Sequence, residues 1–242
     1  MELKNRLEPI EAAKRFINRY FPDCDVAILA GSVVRGEATD SSDLDIIIFD
    51  QEQPFSYRES IVAFNWPIEV FVHNFSSYQD FFKSDCQRAR PSLPRMVSEG
   101  ITLKDNGMVS NIRKEANELL AIGPEKWSEE TIKLKRYFIT DALDDFIGAS
   151  NRAEEVLIAN TLVELVSEFI LRTNGHWVGA SKLRIRALKQ YNEPFAVRFF
   201  QAFDEFYTVG IKTEVVKLVD EALEPYGGRL FEGFSLGKRL ME

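Results

Sequence analysis

Leu29-Ala30-Gly31-Ser32-Val33-Val34-Arg35-Gly36-Glu37-Ala38-Thr39-Asp40-Ser41-Ser42-Asp43-Leu44-Asp45 begins at the end of one apolar run and finishes inside the next. The flanking runs, residues 26–30 and 44–49, have the length and composition of buried β-strands. Between them, Gly, Ser, Thr and Asp predict a loop at 31–43 with room for one helical turn. Asp43 and Asp45 are two residues apart. In a strand that spacing puts both carboxylates on one face, about 7 Å apart along the chain. Two such carboxylates can share hard cations, which in a two-ion site lie roughly 3.5–4 Å apart. Magnesium suits the role, because it binds a few carboxylates together with substrate phosphates. Gly31 lets the backbone approach a phosphate, and the Ser32 hydroxyl with free N–H groups of a following turn would bind one. Asp45 stands among isoleucines, where a carboxylate needs a charge partner or a metal.

The full string Gly31-Ser32-x-x-Arg35-Gly36-x-Ala38-x-x-x-Ser42-Asp43-x-Asp45 resembles the polymerase-beta-like nucleotidyltransferase superfamily, in its minimal nucleotidyltransferase branch. The resemblance implies transfer of a nucleoside monophosphate from a nucleoside triphosphate, with ATP the expected donor and two magnesium ions at the site. It implies that Asp43 and Asp45 are catalytic metal ligands and that Gly31, Ser32, Arg35 and Ser42 bind the nucleotide. The family uses a third acid on a neighbouring strand. Glu69 in Pro67-Ile68-Glu69-Val70-Phe71-Val72 is the candidate, either as a metal ligand or as the base for the acceptor. Aspartate is the commoner residue there, so Glu69 is a departure that leaves its role open.

Working outward, Ile10, Ala13, Ile17 and Tyr20 predict a first helix behind Pro9, broken at Phe21-Pro22-Asp23. Residues 67–73 alternate as a third strand, Ile68, Val70 and Val72 opposite Glu69, Phe71 and His73. A helix near 76–84, a short strand at 100–103 and a helix at 108–121 follow. Ile122-Gly123-Pro124 marks a boundary between a catalytic domain (1–123) and a helical substrate-binding domain (124–242). Helices are expected at 128–149, 152–173, 180–191, 194–208 and 211–224. The fold class is therefore α/β (α+β), a small mixed sheet followed by an all-α bundle.

The fused helical half is reminiscent of kanamycin-type and lincosamide-type nucleotidyltransferases, which implies a small-molecule acceptor, an antibiotic being one option. Lys182 and Arg186, four apart on one helix face, could pair with the triphosphate. Asp141, Asp144, Asp145 and His176 are candidates for holding the acceptor, which is expected between the two halves and opposite the leaving pyrophosphate. Arg172 and His176 are separated by three residues, short of the spacing in the ribonuclease motif of HEPN-type helical domains. A protein hydroxyl as acceptor, as in antitoxin-type AMP-transferases, and a non-catalytic nucleotide-binding module are the alternatives. The intact acids argue against the last.

Net charge is −8 over 242 residues, with 45% hydrophobic and 28% charged residues. That balance disfavours general nucleic-acid binding, which draws its affinity from basic residues. No apolar run reaches the roughly 20 residues of a membrane span, and the charged first residues lack a signal-peptide core, so a cytoplasmic location is expected. Cys24 and Cys86 are far apart and outside any zinc spacing. The oligomeric state is left open, a dimer included.

Overall fold

The computed structural model describes residues 6–237. Contacts divide the chain into a unit at 1–123 and a unit at 124–242.

The first unit is built on a five-stranded mixed sheet of order β3-β4-β2-β1-β5. The strands are β1 (Val26–Ala30), β2 (Leu44–Phe49), β3 (Tyr57–Ala63), β4 (Trp66–His73) and β5 (Ile101–Asp105). β2 and β4 run parallel, and the other neighbours are antiparallel. Strand alternation sends two sets of side chains to two cores. Leu44, Ile46, Ile48, Ile68, Val70 and Val72 meet Ala12, Ala13, Phe16 and Ile17 of α1 (Pro9–Tyr20). The expected apolar stripe on α1 is rotated, since Ile10 and Tyr20 are exposed.

On the opposite face, Val26, Ile28, Ala30, Ile47 and Phe49 pack against α2 (Ser77–Gln87), α3 (Ser92–Glu99) and α4 (Val109–Ile122) through Tyr78, Phe82, Leu93, Val97, Val109, Ile112 and Ala116. Asp45 and Glu69 belong to this second face by alternation. The β2–β4 register sets them opposite one another.

Two elements were absent from the sequence reading. β3 is an edge strand whose apolar residues are partly buried or, at Val62, exposed. Its hairpin to β4 turns through Phe64 and Asn65, both at positive φ (54° and 63°), between the paired Ala63 and Trp66. A type I′ turn needs that conformation twice, and Phe is not a residue that announces it. α3 carries Pro94 in its first turn behind Pro91. Prolines tolerated at a helix start read as breakers in sequence.

The second unit holds α5 (Glu129–Gly148), α6 (Arg152–Thr173), α7 (Lys182–Tyr191), α8 (Glu193–Val209), α9 (Thr213–Leu223) and a short 3-10 turn at Glu224–Tyr226. Side chains of Ser128, Asn151 and Asn192 cap the N-termini of α5, α6 and α8. Phe146, Leu162, Val166, Phe169, Leu188, Phe206, Val215 and Leu223 fill its core. A small mixed sheet followed by a helical bundle is the fold class expected. No described helix is long and apolar enough to cross a membrane.

Candidate metal centre

The parallel pairing of β2 with β4 aligns Asp45 with Glu69, and the antiparallel pairing of β1 with β2 aligns Ala30 with Asp45. Asp43 lies just before β2 on the same side. Ligand oxygens of Asp43, Asp45 and Glu69 all lie within 4.8 Å of one another. Desolvation is the main cause that pushes the Asp45 carboxyl up to about 6, and the negative charges of Asp43 and Glu69 add to it; Arg35 and Arg58 oppose it. Three hard oxygen donors crowded to mutual repulsion fit a divalent cation of the magnesium class.

The loop after β1 makes one tight turn. Gly31 has φ +80°, and Gly36 has φ +70°. The Glu37 N–H donates to the Ser32 carbonyl at 3.0 Å, a 6→1 closure of the kind that ends helices on a left-handed residue. Val33 and Val34 pack against the α1-side core. The Ser32 hydroxyl, 8% exposed, donates to Ser42 Oγ at 3.2 Å, and that oxygen also accepts from the Thr39 N–H at 2.8 Å. Ser42 therefore closes the loop onto Ser32 directly before Asp43.

Arg35 is held by acids, with Nε 3.0 Å from Glu37 and Nη1 3.6 Å from Glu99 at the end of α3. Arg58 on β3 forms an ion pair with Glu69. The sequence reading missed Arg58 because the strand that carries it was missed.

The first unit thus brings together Gly31, Ser32, Arg35, Ser42, Asp43, Asp45 and Glu69. The remaining expected site residues belong to the second unit. Lys182 is exposed in the first turn of α7, and Arg186 is half-buried. Arg184 turns inward, donating to the Glu164 carbonyl at 3.0 Å and to Ser167 Oγ at 2.8 Å. The His176 ring packs edge-on against Tyr191, with centroids 5.1 Å apart. Asp141 and Asp145 line a groove of about 380 Å³ on α5 and α6 with Phe138, Ile158 and Leu165. Asp144 pairs instead with Arg229 at 3.1 Å.

No protein-family model matches the chain, and no curated protein matches it. Among solved structures, the chain is similar to a nucleotidyltransferase-like protein from Exiguobacterium sibiricum. Identity is 11% and the TM-score 0.46, over 89% of this chain and 73% of that one.

Proposed function

We propose that this chain is a metal-dependent nucleotidyltransferase that moves a nucleoside monophosphate from a nucleoside triphosphate, ATP the expected donor, to a hydroxyl of a small-molecule acceptor. The observation that carries the reading is the convergence of Asp43, Asp45 and Glu69 within 4.8 Å, beside a glycine-serine turn. Bound divalent ions, two in this reading, would neutralise charge on the phosphates and on the attacking and leaving oxygens.

The chain's own residues supply the rest. Asp43 and Asp45 hold the metal. Glu69 either completes that set or receives the proton of the acceptor hydroxyl. The acceptor oxygen bonds to the α-phosphorus, the bond to the bridging oxygen breaks, and pyrophosphate leaves with the electron pair. In-line attack keeps pyrophosphate on the side of Gly31, Ser32, Arg35 and Ser42. The groove of Asp141 and Asp145 offers negative charge on an apolar bed, which suits a cationic acceptor, an antibiotic among the candidates. Lys182 and Arg186 are proposed for the triphosphate, and Asp144 and His176 as further acceptor contacts.

The test is incubation with magnesium and each labelled nucleoside triphosphate, with aminoglycosides, lincosamides and lysate proteins as acceptors. Label on a small molecule together with released pyrophosphate is the expected result. Label on a protein would move the acceptor class to an antitoxin-type AMP-transferase. Nucleotide binding without transfer to any acceptor would leave a binding module and sink the enzymatic reading.

A further inference from the structure

We propose that Arg95 is a binding residue for the terminal phosphates of the nucleoside triphosphate, acting beside Arg35; this rests on the site reading given above.

The position of α3 comes first. Gly100, directly after α3, is pressed onto β1: a β-carbon there would lie 2.6 Å from the Met96 carbonyl oxygen and 2.9 Å from that of Leu29. The last turns of α3 therefore lie against the strand end that leads into Gly31. Glu99 fastens the same helix to the loop through its 3.6 Å ion pair with Arg35. Arg95 is four residues before Glu99, on the same helix face.

Its surroundings come next. The Arg95 side chain is half-buried, and the charges that act on it are Glu99 and Arg35. Burial, then the positive charge of Arg35, press its pKa down, while Glu99 opposes them. Among the described residues its guanidinium has no hydrogen-bond acceptor and no ion pair. Glu99 stays exposed and reaches Arg35, as does Glu37. A guanidinium carries five N–H donors in a planar fork. Partly desolvated, unpaired and next to a second cation, it is in an unfavourable state that an anion would relieve.

The identity of the anion follows from placement. Arg35 lies close enough to Asp45 to lower its pKa, so Arg35 borders the acids on the loop side, and Arg95 is close enough to Arg35 for the two charges to interact. Arg58 borders them on the Glu69 side. The phosphates that stay with the loop during in-line transfer are the β- and γ-phosphates, and bidentate N–H donation to phosphate oxygens is what the arginine fork is suited to.

The experiment is calorimetric binding of the four nucleoside triphosphates, the four monophosphates and pyrophosphate, with magnesium, to the wild type, Arg95→Gln and Arg95→Lys. Melting curves verify the fold. Arg95→Gln should weaken triphosphate and pyrophosphate binding by about tenfold or more and leave monophosphate binding unchanged. Arg95→Lys, a point charge without the fork, should recover part of the loss. If Arg95→Gln fails to fold, Arg95→Met preserves the packing of the stem and serves in its place. A folded variant that binds triphosphate and pyrophosphate as the wild type does would overturn the Arg95 assignment and leave the transferase reading standing. A wild type that binds neither triphosphate nor pyrophosphate would overturn both. Pyrophosphate binding that depends on Arg95, without triphosphate binding, would support the anion site and remove the transferase.

Discussion

The carboxylate of Asp45 occupies the space that a β-carbon on Gly31 would need. Such a carbon would lie 2.9 Å from Asp45 Cγ, 3.2 Å from its Cβ and closer still to Oδ2. Glycine is required there twice over, because φ is +80° and any side chain would displace the central acid of the site. Gly31→Ala should cost about 1–3 kcal/mol of stability from the backbone alone. It should also lower turnover by roughly 10²-fold or more, since moving a reacting group by about 1 Å has that effect. Thermal melts and transfer assays on the same preparation check this. A stable Gly31→Ala protein with wild-type turnover would show that the Asp45 position is unimportant.

Asp45→Ala should keep the fold and abolish transfer, at roughly 10³-fold or more, because a carboxylate is removed from the metal clamp. In the wild type, metal binding must displace a proton from a carboxyl that titrates at about 6. Magnesium affinity should therefore rise as pH goes from 5 to 7 and then level off. Titration of metal-dependent stabilisation at those pH values measures it. An affinity independent of pH across that range would remove Asp45 from the ligand set.

Apo stability should be nearly flat between pH 4 and 6, because two shifts oppose each other. His73 is buried, donates to or accepts from Ser56 Oγ at 3.0 Å, and is pushed by desolvation down to about 4. Its contribution is present above its ordinary 6.5 and is lost as pH falls toward 4. Asp45 is shifted upward, so its contribution is present below its ordinary 3.8 and is lost as pH rises toward 6. Asp45→Asn removes the second slope. That variant should lose about 1–3 kcal/mol between pH 6.5 and 4, while the wild type changes little. Denaturant melts with chelator present decide it; parallel pH profiles for the two proteins would contradict the scheme.

Arg58→Gln separates stability from metal affinity. The Arg58–Glu69 pair is partly exposed, and pairs of that kind contribute at most about 1 kcal/mol. Removing the cation leaves three carboxylates facing the ion with less competition. Magnesium binding should tighten severalfold with little change in melting temperature. Weaker binding would mean that Arg58 positions Glu69 more than it competes for it.

Asp141→Asn combined with Asp145→Asn tests the groove on α5 and α6. Acceptor KM should rise severalfold while triphosphate affinity is unchanged. Equal effects on both ligands, or on neither, would take the groove out of the reaction.

The sheet-then-bundle architecture was legible in the sequence because its elements carry clean periods: the isoleucines of β2, the alternation in β4, the stripe of α6. The meeting of Glu69 with Asp45 could also be anticipated, since both are polar interruptions in buried strands. What stayed hidden had weak or contrary local signals. β3 is an edge strand with charges facing outward, α3 begins with prolines, and the Phe64–Asn65 turn uses a residue that turns rarely use. Arg58 and Arg95 stand on those two unread elements and were lost with them, whereas Arg35 was legible in the loop. The ion pair of Asp144 with Arg229 could not be read from the sequence, because the two residues lie on separate elements far apart in the chain.

β3 has a further consequence, for life in a crowded solution. Its outer side carries the unpaired N–H and C=O groups of a sheet edge, a template onto which a strand from another molecule can add. Arg58 and Glu59 are the charges that make such addition unfavourable there, and Val62, 75% exposed, is the point where the guard is thinnest. Arg58 therefore serves two masters: a substitution that retunes the acids also alters how readily copies of the chain zip together into insoluble assemblies.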